Sequence, residues 1–188
     1  VAHAVWLTLN EVRILARHGV SVAHCPVSNM KLASGGVAPV PELTQAGVAV
    51  ALGTDSALSN NSADLFGEMK TASLLHKATR WDARVLPAQT VLDMVTIDAA
   101  RALGMAETLG SIEVGKRADL AVVSLRRPHT TPFYPANVIS HLVYCSRGSD
   151  VQATIVDGHV LMAGGVVRTV DEEGVMERAQ ETAKELLG

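Results

Sequence analysis

The sequence predicts an α/β chain in which a parallel sheet or barrel is followed by a smaller region of short antiparallel strands. From Val1 to about Gly104, strand-like apolar runs alternate with amphipathic, helix-like stretches, the rhythm of βαβ units. The run Val48-Ala49-Val50-Ala51-Leu52 is continuously apolar and ends in Gly53-Thr54-Asp55, as a parallel strand covered on both faces does where its carboxyl end opens on a crevice. Beyond Gly110 the spacing contracts to short apolar runs divided by glycine turns.

The elements follow in order. Ala2 to Leu7 reads as a strand, Leu9 to His18 as a helix, Val20 to His24 as a strand, Val40 to Ala46 as a helix and Val48 to Leu52 as a strand. A longer helix covers Ala63 to Thr79, where Leu65, Phe66, Met69, Ala72 and Leu75 recur at helical spacing. Pro87 opens another helix that runs through Ala99 to Leu103 and stops at Gly104. These helices are expected to cover the outside of the sheet. Further on, Ala118 to Ser124, Val138 to Tyr144, Val151 to Val156 and Val160 to Met162 read as strands, the last two joined by Asp157-Gly158, a strong hairpin signal. The charged, amphipathic stretch from Asp171 to Leu187 reads as a surface helix or an oligomer contact.

Composition narrows the function classes. The chain has 188 residues, is 48% hydrophobic and carries a formal net charge of -3, enough apolar material for a substantial core. That charge and the 3% aromatic content supply neither a basic stripe nor stacking platforms, which argues against nucleic-acid polymers as partners. No apolar run reaches the roughly 18 residues that span a bilayer, and no positively charged leader precedes an apolar stretch, so no membrane partner and a cytoplasmic location are expected. Cys25 and Cys145 are isolated thiols without C-x-x-C spacing, which suggests neither a disulfide framework nor a zinc ribbon. Buried small hydrophobes are the default for both.

Two strand ends carry polar clusters. Gly53-Thr54-Asp55-Ser56-Ala57-Leu58-Ser59-Asn60-Asn61 lifts a carboxylate off the end of a buried strand, and His24-Cys25-Pro26-Val27-Ser28-Asn29 follows another. By spacing alone Asp55 is either a catalytic group or the cap of the next helix. His3, by position alone, is a core or surface histidine.

The segments VAHCPVSNMKLASG, GTDSALSNN, DLFGEMKTASLLHK and GSIEVGKRADLAVVSL, in this order, resemble the amidohydrolase superfamily, in its deaminase and chlorohydrolase branch. The resemblance covers essentially the whole chain. It implies the C-terminal portion of a (β/α)8 TIM-like barrel, with residues 1–110 as its last strands and helices, 111–170 as part of a small β-sandwich and 171–188 as a terminal helix. Asp55 matches the family's eighth-strand metal ligand, which is also a proton acceptor in contact with the substrate. His3, in Val1-Ala2-His3-Ala4-Val5-Trp6-Leu7, matches the histidine that ends the sixth strand beside the reacting water. The implied cofactor is one Zn2+, or Fe2+, per complete chain.

The family's His-x-His pair, its fifth-strand His and the Glu that follows it have no match, and Glu11 and Glu42 are poor substitutes. The expectation is therefore that the N-terminal part of the same polypeptide completes the site, that the chain alone aggregates, and that the whole is a homo-oligomer. The implied reaction is hydrolytic deamination of an adenine nucleoside, a small-molecule substrate, with release of ammonia. Alternatives are guanine or cytosine deamination, triazine dechlorination, or a non-catalytic relative without metal. For His24 a structural hydrogen bond to a loop is expected. For Asn29, Ser59, Asn60 and Asn61 the expectation is turns and caps. His141 and His159 fall in the sandwich-like part and read as solvated or packing residues, and Met69, Met94, Met105 and Met162 as core filler.

Overall fold

A computed structural model describes residues 1–188. The chain divides into two compact units, one formed by residues 1–116 and 125–148 and the other by residues 117–124 and 149–188. Residues 111–116 and 125–148, read from the sequence with the β region, cluster with the first unit, and the last helix clusters with the strands of the second.

The first unit is built around two parallel strands, β1 (Val22–His24) and β2 (Val50–Leu52), paired Val22 to Val50 and His24 to Leu52. Around them lie α1 (Leu9–Arg17), α2 (Pro26–Lys31), α3 (Val40–Gln45), α4 (Ala57–Asn60), α5 (Leu65–Arg80), α6 (Ala88–Asp93) and α7 (Ile97–Ala102), with α8 (Val138–Tyr144) returning later in the chain. Local chemistry sets these ends. Thr8 and Glu11 form a reciprocal capping box at the start of α1, Asp64 accepts from the amide of Phe66 to start α5, and Pro26 supplies the preset φ of a first helical position in α2. Valine, leucine and methionine side chains close the core: Val22, Val40, Leu43, Val50, Val91 and Met94 are all fully or nearly fully buried.

Three expectations are corrected here. The segment from Ala2 to Leu7 pairs only through an isolated parallel bridge from Ala2 to Ala23, because His3 and Ala4 turn into the left-handed region at φ 65° and 53°. The helix expected from Pro87 to Leu103 is two helices, α6 and α7, broken where Thr96 leaves helical geometry at φ -125°, ψ -100°. Val138 to Tyr144 is helical rather than extended. A short apolar run fits either period, and here Val143 is buried in the first unit's core, which fixes the helix.

The second unit is a four-stranded antiparallel sheet in the order β3 (Leu120–Val123), β4 (Val151–Val156), β5 (His159–Ala163) and β6 (Val166–Val167). Asp157 and Gly158 both take positive φ, 49° and 77°, as the two-residue hairpin between β4 and β5 requires. Gly164 and Gly165, at 61° and 83°, repeat the device between β5 and β6. The helix α9 (Glu172–Leu187) closes the chain, capped by Asp171 and without a buried residue. No helix is long and apolar enough to cross a membrane.

Candidate active site

Parallel pairing brings three chain segments to one end of the small sheet. The amide of His3 donates to the carbonyl of Ala23 at 2.9 Å, and the amide of Gly53 donates to the carbonyl of His24 at 3.0 Å. His3, the Cys25–Asn29 segment and Asp55 therefore leave the sheet side by side, the arrangement in which strands of α/β folds present side chains at their carboxyl ends.

Asp55 sits at φ 61°, in the left-handed region that Asp tolerates better than most residues, so the chain turns sharply and its carboxylate faces back over the strand ends. Ser28 donates its hydroxyl to Asp55 Oδ2 at 2.6 Å. That bond, assisted by Ser59 and the backbone amide of Ser56, holds the Asp55 carboxyl below the usual carboxylate range, so it is anionic at neutral pH. His3 Nε2 stands 3.9 Å from the same Oδ2. On its other side, His3 Nδ1 lies 2.8 Å from Asn29 Oδ1. The sequence-based candidates, Asp55 and His3, thus come together although 52 positions separate them.

A buried layer supports the loop that carries Asp55. Ser56 caps α4 by accepting from the amide of Ser59 at 3.2 Å, and Asn61 ends it in the left-handed region. Asn60 Nδ2 donates to the carbonyl of Thr54 at 2.7 Å and to Glu68 Oε1 at 2.6 Å. Glu68, buried on α5, also accepts from the amide of Val27 at 3.4 Å. Burial pushes the Glu68 carboxyl up, and the bonds from Asn60 and Val27 oppose that rise. From the other direction Lys31 Nζ donates to the carbonyl of Leu58 at 2.8 Å and to Asn61 Oδ1. The two polar loops are therefore cross-braced above and below.

Several residues differ from expectation. His24 bonds to no loop; it is buried, with Nε2 3.2 Å from Nε2 of His76. Asn29 neither turns nor caps with its side chain but meets His3. Asn60 joins a loop carbonyl to a buried carboxylate, Ser59 bonds back to Ser56 within the turn and also supports Asp55, and Asn61 ends α4 as expected. His141 lies on α8 in the first unit, not among the strands. Met69 and Met94 are core residues, as expected. Ser28, Glu68 and His76 escaped the sequence reading. The available signal was a Ser-Asn pair placed just after a strand and a helix-starting proline, where side chains point over the strand ends.

No group of three His, Cys, Asp or Glu side chains in the chain could hold a metal ion. Asp55 by itself has the character of one ligand, an anionic carboxylate with its side chain 28% exposed and one oxygen oriented by a hydroxyl.

A model of the amidohydrolase family matches residues 1–161. A 5′-deoxyadenosine deaminase from Methanosarcina acetivorans is 51% identical over 186 residues, which cover 99% of this chain and 42% of that protein. A 5-methylthioadenosine/S-adenosylhomocysteine deaminase from Moorella thermoacetica is 52% identical over 174 residues, 93% of this chain and 40% of that one. Among solved structures, an adenosine deaminase from Xanthomonas campestris with bound zinc superimposes with a TM-score of 0.93 at 39% identity, covering 98% of this chain and 41% of that one. An atrazine chlorohydrolase from Arthrobacter aurescens complexed with zinc gives a TM-score of 0.86 at 26% identity, covering 96% and 39%. The chain spans about 40% of the length of the curated relatives it matches.

Proposed function

The chain belongs to the amidohydrolase family, and from that premise we propose that the protein containing it is a metal-dependent hydrolytic deaminase of adenine nucleosides. The observation that carries the reading is the approach of His3 Nε2 to the anionic carboxylate of Asp55, at 3.9 Å, over the ends of parallel strands. The names of its relatives, deaminases of 5′-deoxyadenosine and of 5-methylthioadenosine/S-adenosylhomocysteine, favour an adenine nucleoside altered at its 5′ position as substrate.

Asp55 is the ligand this chain contributes to a divalent ion, zinc by the neighbours' example, with iron as the alternative. When bound, such an ion lowers the pKa of water from 15.7 to about 7 and so supplies hydroxide at neutral pH. The remaining ligands, and the acid that protonates the purine ring, we place in the part of the relatives' length that this chain does not span. Asp55 then accepts the proton of the attacking water at its carboxylate and returns it to the departing amino group as ammonia leaves. His3 Nε2, as the lone-pair nitrogen of the ring, accepts a hydrogen bond from the attacking water and so orients that oxygen toward the ring carbon.

The barrel portion, the small β-domain and the terminal helix keep the boundaries of residues 1–110, 111–170 and 171–188 in this reading only as regions of sequence, since the compact units interleave. Exposed Val175, Met176, Leu186 and Leu187 on α9 favour assembly as a homo-oligomer. Cys25 and Cys145, both free thiols, suit a reducing, cytoplasmic setting.

The test uses the full-length protein: metal content by elemental analysis, with ammonia release from 5′-deoxyadenosine, 5-methylthioadenosine, S-adenosylhomocysteine and adenosine. About one zinc or iron per chain together with ammonia from these nucleosides is expected. Metal without ammonia would move the substrate to another ring system, and a metal-free protein would remove the role given to Asp55.

A further inference from the structure

Ser28 and Asn29 are neighbours on α2, and each reaches a different candidate catalytic group on a different segment. Ser28 is fully buried and spends its hydroxyl on Asp55 Oδ2 at 2.6 Å. Asn29 Oδ1 lies 2.8 Å from His3 Nδ1. An amide oxygen can only accept, so the ring nitrogen facing it carries the proton. Whenever the His3 ring holds a single proton, Nε2 is then the lone-pair nitrogen, and Nε2 is the atom that faces Asp55 at 3.9 Å. Nothing local to His3 would otherwise fix this: its backbone is in the left-handed region and its side chain is 42% exposed.

The element bearing the pair is itself rigidly placed. The amide of Val27 donates to buried Glu68, Pro26 starts α2 at the end of β1, and the carbonyl of His24 takes the amide of Gly53 at 3.0 Å. A fixed helical step between two adjacent residues thereby sets the separation of two groups that come from other parts of the chain.

We propose that Ser28 and Asn29 are the positioning residues of the site, Ser28 orienting the Asp55 carboxylate and Asn29 holding His3 in the tautomer with its proton on Nδ1 and Nε2 toward the reacting water. The proposal rests on the deaminase reading above for its kinetic consequences, but not for the tautomer.

The experiment takes full-length, zinc-loaded protein and compares Asn29→Leu, which keeps the shape and loses the acceptor, with Asn29→Asp, which keeps the acceptor. Asn29→Leu is expected to lose about 10–100-fold in kcat with KM little changed and zinc retained, the scale seen when a partner that orients a ligand or catalytic group is removed. Asn29→Asp should recover most of that loss. Ser28→Ala should lower zinc retention as well as kcat, because its partner is the ligand itself. Nitrogen NMR of labelled histidine reads the His3 tautomer directly: proton on Nδ1 in the wild type, tautomers mixed in Asn29→Leu.

Wild-type kcat in Asn29→Leu, equal losses in the Leu and Asp variants, or a wild-type His3 protonated on Nε2 alone would overturn the positioning role. If Asn29→Leu does not fold, Asn29→Ala takes its place in the same comparison. A wild-type protein that shows the Nδ1 tautomer yet releases no ammonia counts against the deaminase reading, not against the role of Asn29.

Discussion

His24 and His76 meet Nε2 to Nε2 at 3.2 Å inside the first unit, and the Nδ1 atom of each has no hydrogen-bond partner. One ring comes from the end of β1 and the other from the C-terminal part of α5, so the contact ties the parallel strands to the helix that covers them. Two imidazoles sharing one hydrogen bond in a dry environment are held neutral. Burial, then the neighbouring His76 and His3, lower the pKa of His24 to about 3; burial and then Arg80 lower that of His76 to about 4, with Glu42 opposing.

This pair predicts acid sensitivity with a definite sign. Both histidines titrate near 6.5 in the unfolded chain and well below it in the fold, so between those values the unfolded state binds more protons. The stability they contribute is complete above about pH 6.5 and is lost as pH falls toward about 4 for His76 and about 3 for His24, with a limiting slope of about 1.4 kcal/mol per pH unit for each histidine. Denaturant melts of the full-length protein from neutral pH downward should show this loss. His76→Leu should flatten the slope by about one proton's worth, and an unchanged slope would contradict the assignment.

Asp55→Asn is expected to preserve the fold and remove the chemistry. Asparagine also tolerates the left-handed φ of 61° at this position, so the backbone turn survives, while the carboxylate proposed as metal ligand and proton acceptor is lost. In the full-length protein the thermal midpoint should stay near the wild-type value, with metal content reduced and turnover down by more than about 100-fold, beyond the usual cost of losing an outer partner. Near-normal ammonia release from this variant would refute the role of Asp55.

Glu68→Ala is expected to destabilise the protein by about 2–4 kcal/mol, because it empties a buried side-chain site and leaves one N–H of Asn60 Nδ2 and the partly buried amide of Val27 without an acceptor. Zinc retention should fall as well, since the Thr54–Asn60 brace behind Asp55 depends on that carboxylate. Chemical denaturation and metal analysis on the same variant check both statements. A loss of stability with normal metal retention would separate Glu68 from the site.

Gly35→Ala tests the loop beside His3. A Cβ at Gly35 would lie 2.3 Å from the Trp6 ring, and the residue's φ of 129° is itself costly for alanine. Trp6 now donates from Nε1 to the carbonyl of Ser34 at 3.1 Å, so the substitution should release the indole. A changed tryptophan emission and a stability loss of about 1–3 kcal/mol are expected, and an unaltered spectrum would argue against this packing.

Helices and hairpins whose signals are local could be read directly. The capping box at Thr8 and Glu11 and the Asp64 cap of α5 each satisfy their own backbone within a few residues, and the Asp157-Gly158 turn forms as expected. Val138 to Tyr144 shows the opposite case: its apolar run suits strand or helix, and burial of Val143 against the first unit decides it. The same holds for residues 125–148, which local pattern assigns to the β region and packing assigns to the other unit.

The sequence by itself determined the alternation of strands and helices, the Asp157-Gly158 turn of the antiparallel sheet, and the candidacy of Asp55 and His3, because those depend on periodicity, on turn residues and on wording carried by contiguous segments. Only the tertiary structure decided that Ser28 serves Asp55, that Asn29 serves His3 and that His24 pairs with His76, contacts spanning 27, 26 and 52 positions. A hydroxyl, an amide or an imidazole has the same local preferences whether it caps a turn or orients a catalytic group. Its role is set by which partner the parallel register and the packed helices bring within about 3 Å of it.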